Sequence, residues 1–272
     1  INYLSATGFP EAGYERLWPA DVHVIGKGIT RFHCVIWPAM LMAADVPLPH
    51  RVWAHGYVQW GGEKMSKTAG TAVSLDGAIE RHGADALRYF LLREIGFEND
   101  GNFTWERFDA RYTADLADTF GNLASRVLAM VQRYRGGVVP RDPRDFAGPL
   151  ESDARSALEG YARAMDALAL EDGAAALVTL AARANRYVQE TAPWTLSKEG
   201  RPAELDTVLA NLARTVARLA VLAVPFMPDK AHLLWDALGT GRPFEAVRFT
   251  DVTDLDPTGW VVQKPLPLFP KT

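Results

Sequence analysis

The spacing of apolar residues along the chain changes near residue 112. Before it, short apolar runs are broken by glycines, prolines and scattered tryptophans; after it, long alanine- and leucine-rich stretches recur with helical period. In the first part, ADVHVIGKG reads as a short strand entering a glycine turn. ITRFHCVIWPAMLMAA, residues 29–44, reads as a helix that Pro38 kinks or restarts, because proline brings no N–H to the helical ladder. RVWAHGYVQW, residues 51–60, is β-branched and aromatic and reads as a single strand. SLDGAIERHGADALRYFLLREI, residues 74–95, reads as a helix with Leu87, Phe90 and Leu91 on one side. Alternating strands and helices predict an α/β layer.

The second part predicts helices over 107–135, 152–170, 173–190, 203–224 and 228–238. Leu123, Val127, Met130, Val131 and Tyr134 mark the inner face of the first. Leu205, Val208, Leu209, Leu212, Val216 and Leu219 mark that of the fourth. GGVVPRDPRDFAGP, residues 136–149, is a break, APW at 192–194 ends the third helix, and PLPLFPKT reads as an extended tail. Antiparallel helices with apolar faces make a bundle. The expected division is 1–72 for the α/β part, 73–114 for a connecting segment and 115–272 for the helical domain.

Composition narrows the function classes. The 272 residues are 48% hydrophobic and 23% charged, with a net charge of −4, so any nucleic-acid binding relies on local patches and not on bulk charge. The one cysteine, Cys34, rules out a disulfide framework within these residues and fits a reducing compartment; it reads as a small core residue. His23, His50, His82 and His232 have no metal-ligand spacing, and no metal site is expected. No apolar run has the length of a membrane span and the first residues do not read as a signal peptide, so a cytoplasmic protein with no membrane partner is expected.

Three groups of residues carry candidate chemistry. GGEKMSKTAG, residues 61–70, puts two ammonium groups, Lys64 and Lys67, and two hydroxyls, Ser66 and Thr68, between glycines. Such a loop can follow charge as it develops on a leaving pyrophosphate, with Gly61, Gly62 and Gly70 as hinges; the plain alternative is a solvated lysine loop. Ile29, His33 and Trp37 stand at i, i+4 and i+8, one helix face that makes a mostly apolar pocket with a polar edge, or an ordinary core stripe. Asn122 and Arg126 share a face at i and i+4, and Trp194 follows Pro193 at a helix end. An amide, a guanidinium and an exposed indole suit single-stranded RNA; the alternative is a polar surface pair and a core tryptophan.

KMSKT, HVIGKGITRFHCVIWPAM and GNLASR with APW resemble the methionyl-tRNA synthetases, class I aminoacyl-tRNA synthetases whose loop reads KMSKS. The resemblance implies an α/β fold, the second half of a class I synthetase Rossmann-like domain, followed by an all-α anticodon-binding helix bundle. It implies ATP-dependent activation of methionine and its transfer to tRNA(Met), with ATP and Mg2+ as cofactors. By the same resemblance, Lys64, Ser66 and Lys67 are catalytic. Gly26, Gly28, Val58, Lys64, Met65 and Lys67 bind ATP. Ile29, His33 and Trp37 line the methionine pocket, and Asn122, Arg126 and Trp194 read the CAU anticodon. Gly28 departs from the family, which carries an aspartate there on the ATP ribose; His55 is a further candidate to face the nucleotide. The family's H-x-G-H string and its zinc-bearing insertion do not occur in these residues. The expectation is therefore a missing N-terminal half of the catalytic domain as partner, and a chain inactive alone. Two alternatives stay open: a non-catalytic tRNA anticodon-binding module, or a class I synthetase for another amino acid.

Overall fold

A computed structural model of the chain describes residues 2–64, 74–96, 99–264 and 267–271. It divides into two compact units, residues 1–72 with 95–103, and 73–94 with 104–272.

In the first unit, α1 (Asn2–Ala6) precedes β1 (His23–Gly26), which pairs in parallel with β2 (Val52–His55), Gly26 opposite His55. The crossover between them is helical, as parallel strands require. A π-helical turn, Phe32–Ile36, runs directly into α2 (Trp37–Ala43). Pro38 explains the junction. It has no N–H for the carbonyl four residues back, and a widened turn lies where that bond is lost. The widened turn also corrects the reading of Cys34, which is exposed and not a core residue. Leu4, Trp18, Trp37, Leu41 and Val46 form this unit's core, with the Trp18 indole donating to Pro47 O at 2.8 Å.

The expected strand over 51–60 is two strands in two sheets. β2 ends at His55, and β3 (Val58–Trp60) pairs with β4 (Glu63–Lys64) antiparallel and with β5 (Gly101–Phe103) in parallel. Gly56 is the reason for the break. A Cβ there would lie 2.2 Å from Asn99 O, so only glycine allows this backbone approach. Gly61 and Gly62, read as hinges, are the two-residue connection of the β3–β4 hairpin. Both have positive φ, 58° and 89°, as such tight turns demand. Asn102 Oδ1 accepts from Gly62 N at 3.1 Å, and Trp60 stacks on Phe103.

The second unit is helical. The stretch 74–95 forms α3 (Leu75–His82), capped by Ser74, and α4 (Ala84–Glu94), divided at Gly83 with φ 88°. The long helix expected over 107–135 is α5 (Trp105–Arg111), a π-helical stretch Tyr112–Gly121, and α6 (Asn122–Arg135), without interruption. Then come α7 (Pro149–Asp166), α8 (Leu170–Thr191), α9 (Pro193–Lys198), α10 (Pro202–Ala223) and α11 (Pro228–Leu238). Pro193 does end α8, through Ala192 at φ 42°, but it also opens α9, since a first-turn proline has no N–H to waste. α10 is buried nearly all round and packs against α6, α7, α8 and α11. Of its two interior arginines, Arg218 makes a bidentate pair with Glu151 on α7, while Arg214 donates to Thr253 O at 2.6 Å and leaves its buried Nε without a hydrogen-bond partner among the described residues. The tail folds back along the bundle, with Val139 N donating to Trp260 O and Tyr112 Oη to Pro270 O.

Candidate functional site

In the first unit, Trp37 and His33 line a cavity of about 390 Å³ with Tyr3, His23, Phe32 and Met40. The Trp37 indole N–H donates to His23 Nε2 at 3.2 Å, and the His23 ring faces that of His33 at 6.2 Å. Tyr3 and Trp18 also pack on the His23 ring, with centroids 6.0 and 5.8 Å away. The result is an aromatic chamber with an imidazole at its edge, suited to a soft thioether, which makes favourable contacts with rings. Burial, and then the neighbouring His33, holds the His23 pKa below its ordinary value, in keeping with an Nε2 that accepts from the Trp37 indole. Ile29 is tied to this group through its backbone, its carbonyl accepting from His33 Nδ1 at 3.0 Å. Its side chain is half exposed, and it is not among the residues lining the cavity. The π-helical turn accounts for this, since i, i+4, i+8 spacing no longer stacks on one face there. His23 and Tyr3 were not singled out by sequence. Neither shares an element with Trp37, and only the fold joins them.

Gly26, Gly28 and His55 lie at the C-terminal ends of the paired strands β1 and β2 or just beyond them. Gly26 is the last residue of β1, and the His55 ring lies beside it, about 3.8 Å from where a Cβ would stand. His55 Nδ1–H donates to Gly56 O at 2.8 Å. Gly28 faces Tyr57, whose hydroxyl is 2.2 Å from the position of a Cβ at residue 28. A carboxylate there requires the Tyr57 ring to swing away. Tyr57 is held by its backbone: Asp100 Oδ1 accepts from Tyr57 N at 2.8 Å and pairs with Lys27 Nζ at 2.5 Å, which in turn sits over the Tyr57 ring. Asp100 Oδ2 also accepts from Gln59. Val58 is half-buried in β3, opposite Gly101, and Lys64 closes β4 opposite Gln59. Met65, Ser66 and Lys67 lie outside the described residues.

In the second unit, Asn122 and Arg126 are together. Both donate to Asn185 Oδ1 on α8, each at 3.4 Å. Trp194 is in the first turn of α9, 46% exposed. A cavity of about 560 Å³ between α7, α10, α11 and residues 244–249 contains none of these residues. No group of three or more metal-ligating side chains occurs among the described residues, and no described helix is long and apolar enough to cross a membrane.

Residues 1–128 match the family model of class I tRNA synthetases (M), and residues 144–272 that of the anticodon binding domain of methionyl tRNA ligase. The chain is 40% identical to the methionine–tRNA ligase of Streptomyces coelicolor over 290 residues, all of this chain and 53% of that protein. The chain belongs to the methionyl-tRNA synthetase family. A second member, the methionine–tRNA ligase of Oceanobacillus iheyensis, is 39% identical over 99% of this chain and 41% of its own length. The fold agrees. The Mycobacterium tuberculosis methionyl-tRNA synthetase in complex with methionyl-adenylate superposes with a TM-score of 0.90 at 36% identity, over 99% of this chain and 54% of that one. The chain thus spans about half the length of the methionyl-tRNA synthetases it matches.

Proposed function

We propose that this chain carries part of the methionine-activating site and the anticodon-reading surface of a methionine–tRNA ligase. The parent reaction joins methionine to ATP, releases pyrophosphate, and transfers the methionyl group to tRNA(Met). Residues 1–72 would serve the activation site, 73–114 the connection and 115–272 the tRNA.

The observation that carries the proposal is the match in sequence and fold, along 99% of this chain and 54% of the other, to an enzyme solved with methionyl-adenylate. The local chemistry supports it. His33 and Trp37, with His23 behind them, select the methionine side chain by aromatic contact with its sulfur; Ile29 contributes from the rim. Gly26, Gly28 and Val58 offer backbone to the nucleotide, and Lys64, Met65, Ser66 and Lys67 of KMSKT close on its phosphates. The ammonium groups stabilise the departing pyrophosphate where its charge develops. Mg2+ arrives on the ATP phosphates, as is usual where protein ligands are few. Asn122 and Arg126 read base edges and Trp194 stacks a base of the CAU anticodon. The partners are methionine, ATP and tRNA(Met), and the cytoplasm is the site of action.

Binding of an RNA stem-loop bearing CAU, against the same stem-loop with the triplet scrambled, tests the tRNA half on this chain alone. A preference for CAU that disappears in Trp194→Ala is expected. Equal affinity for both loops would refute the assignment of Asn122, Arg126 and Trp194.

A further inference from the structure

From the geometry around Asn122 and Arg126 we infer that Asn185 is a positioning residue for anticodon reading. It fixes the directions in which these two side chains present their donors. The inference rests on the proposed anticodon-reading surface and adds a residue to it.

The orientation of the Asn185 amide is not free. Its Nδ2 donates to Thr119 O at 2.9 Å and to Ala181 O at 3.2 Å. Both partners are carbonyls, which only accept, so the NH2 end must face them and the oxygen must point the other way. That oxygen is the one Asn122 Nδ2 and Arg126 Nη1 converge on. Thr119 is available for this because of the π-helical stretch. At its end the Asn122 N–H reaches back to Ala117 O as well as to Thr119 O, and the loosened ladder leaves Thr119 O a lone pair for a side chain of α8. One amide therefore bridges α8 to the start of α6, and a fixed acceptor stands between the two residues proposed to touch RNA.

At 3.4 Å, the contacts from Asn122 and Arg126 are long. They align both donor groups without consuming them. Asn122 keeps its second N–H and its carbonyl oxygen, and the Arg126 guanidinium has further N–H groups in its planar fork. Asn122 is exposed, while Arg126 and Asn185 are half-buried. The arrangement thus presents an exposed reading edge on a partly buried support, and preorganised donors lose less entropy when they meet a base.

The test is the affinity of the full chain for the CAU stem-loop and for the scrambled one, with Asn185→Ala compared with wild type. Asn185→Ala is expected to weaken the CAU loop about tenfold, the worth of a well-placed hydrogen bond, and to leave the scrambled loop unchanged. In an Asn122→Ala/Arg126→Ala background, the same change is expected to have no effect on either loop. Circular dichroism of each variant reports folding. Should Asn185→Ala fail to fold, Asn185→Asp, which keeps the shape but sets an oxygen where Thr119 O and Ala181 O need a donor, is expected to lower the CAU preference as well. An undiminished CAU preference in the folded variant, or an equal loss for both loops, overturns the positioning role while leaving the anticodon assignment standing. Failure of the wild-type chain to discriminate at all removes both.

Discussion

Replacing Arg218 by methionine tests whether the helical unit depends on its buried ion pair. Arg218 is 0% exposed, on the C-terminal third of α10. Its guanidinium donates to Glu151 Oε2 at 2.6 Å and Oε1 at 3.0 Å, to Val252 O at 2.8 Å and to Thr253 O at 2.7 Å. Methionine keeps the stem but supplies none of these donors. Breaking a buried pair by removing one partner costs about 3–5 kcal/mol. Two effects place this case at the lower end. Glu151 retains Arg155, with Nε at 2.8 Å, and Arg214, whose pKa is lowered by burial and then by the Arg218 charge one turn away, escapes that like charge. Thr253 O also keeps its bond from Arg214. A loss of about 3 kcal/mol follows, or a fall of roughly 6–12 °C in Tm for a unit of this size. Thermal unfolding followed by far-ultraviolet circular dichroism measures it. A fall under about 2 °C would show that Arg218 is not what neutralises Glu151 and ties residues 252–253 to α10.

Gly56→Ala drives a methyl group into the backbone at Asn99 and is expected to destabilise the first unit by about 2 kcal/mol; urea unfolding of the variant with an unchanged midpoint would contradict this. The His23 pKa is lowered in the folded state, so its contribution to stability is present above the ordinary value of 6.5 and is lost as pH falls through the folded value. Acidification should therefore release the Trp37 indole N–H, read as a shift of its NMR signal that His23→Gln abolishes; a pH-independent Trp37 signal would count against the contact. Gly239→Ala meets Val261 O at 1.9 Å from a backbone at φ 62° and is expected to cost at least about 2 kcal/mol, measured by the same unfolding assay; wild-type stability would refute it.

The helical half was the more legible in sequence, because its apolar period is long and regular. α11 spans the expected 228–238, and Leu205, Val208, Leu209, Leu212, Val216 and Leu219 are all buried. What escaped were departures from regular period. An apolar repeat cannot distinguish a π-helical turn from an α-helical one, so Cys34 was placed inside and Ile29 was aligned with His33 and Trp37. The Gly61–Gly62 pair carries a hairpin signal beside the hinge expected of it. β5 is three residues, GNF, with no alternation to detect. Tertiary partners were invisible for another reason. Asn185 lies 59 residues from Arg126, and His23 14 residues from Trp37. No local pattern could join either pair. The motif residues themselves, by contrast, were recognisable because their chemistry is local.

Methionine-dependent ATP–pyrophosphate exchange tests the central claim most directly. It is measured on this chain joined by the portion of the Streptomyces coelicolor enzyme that the chain does not span. The account predicts exchange that needs both parts, responds to methionine over leucine, and falls at least about a hundredfold in Lys67→Ala, the scale of a lost transition-state charge contact. Exchange that is absent from the mixture, indifferent to the amino acid, or unchanged in Lys67→Ala would contradict it.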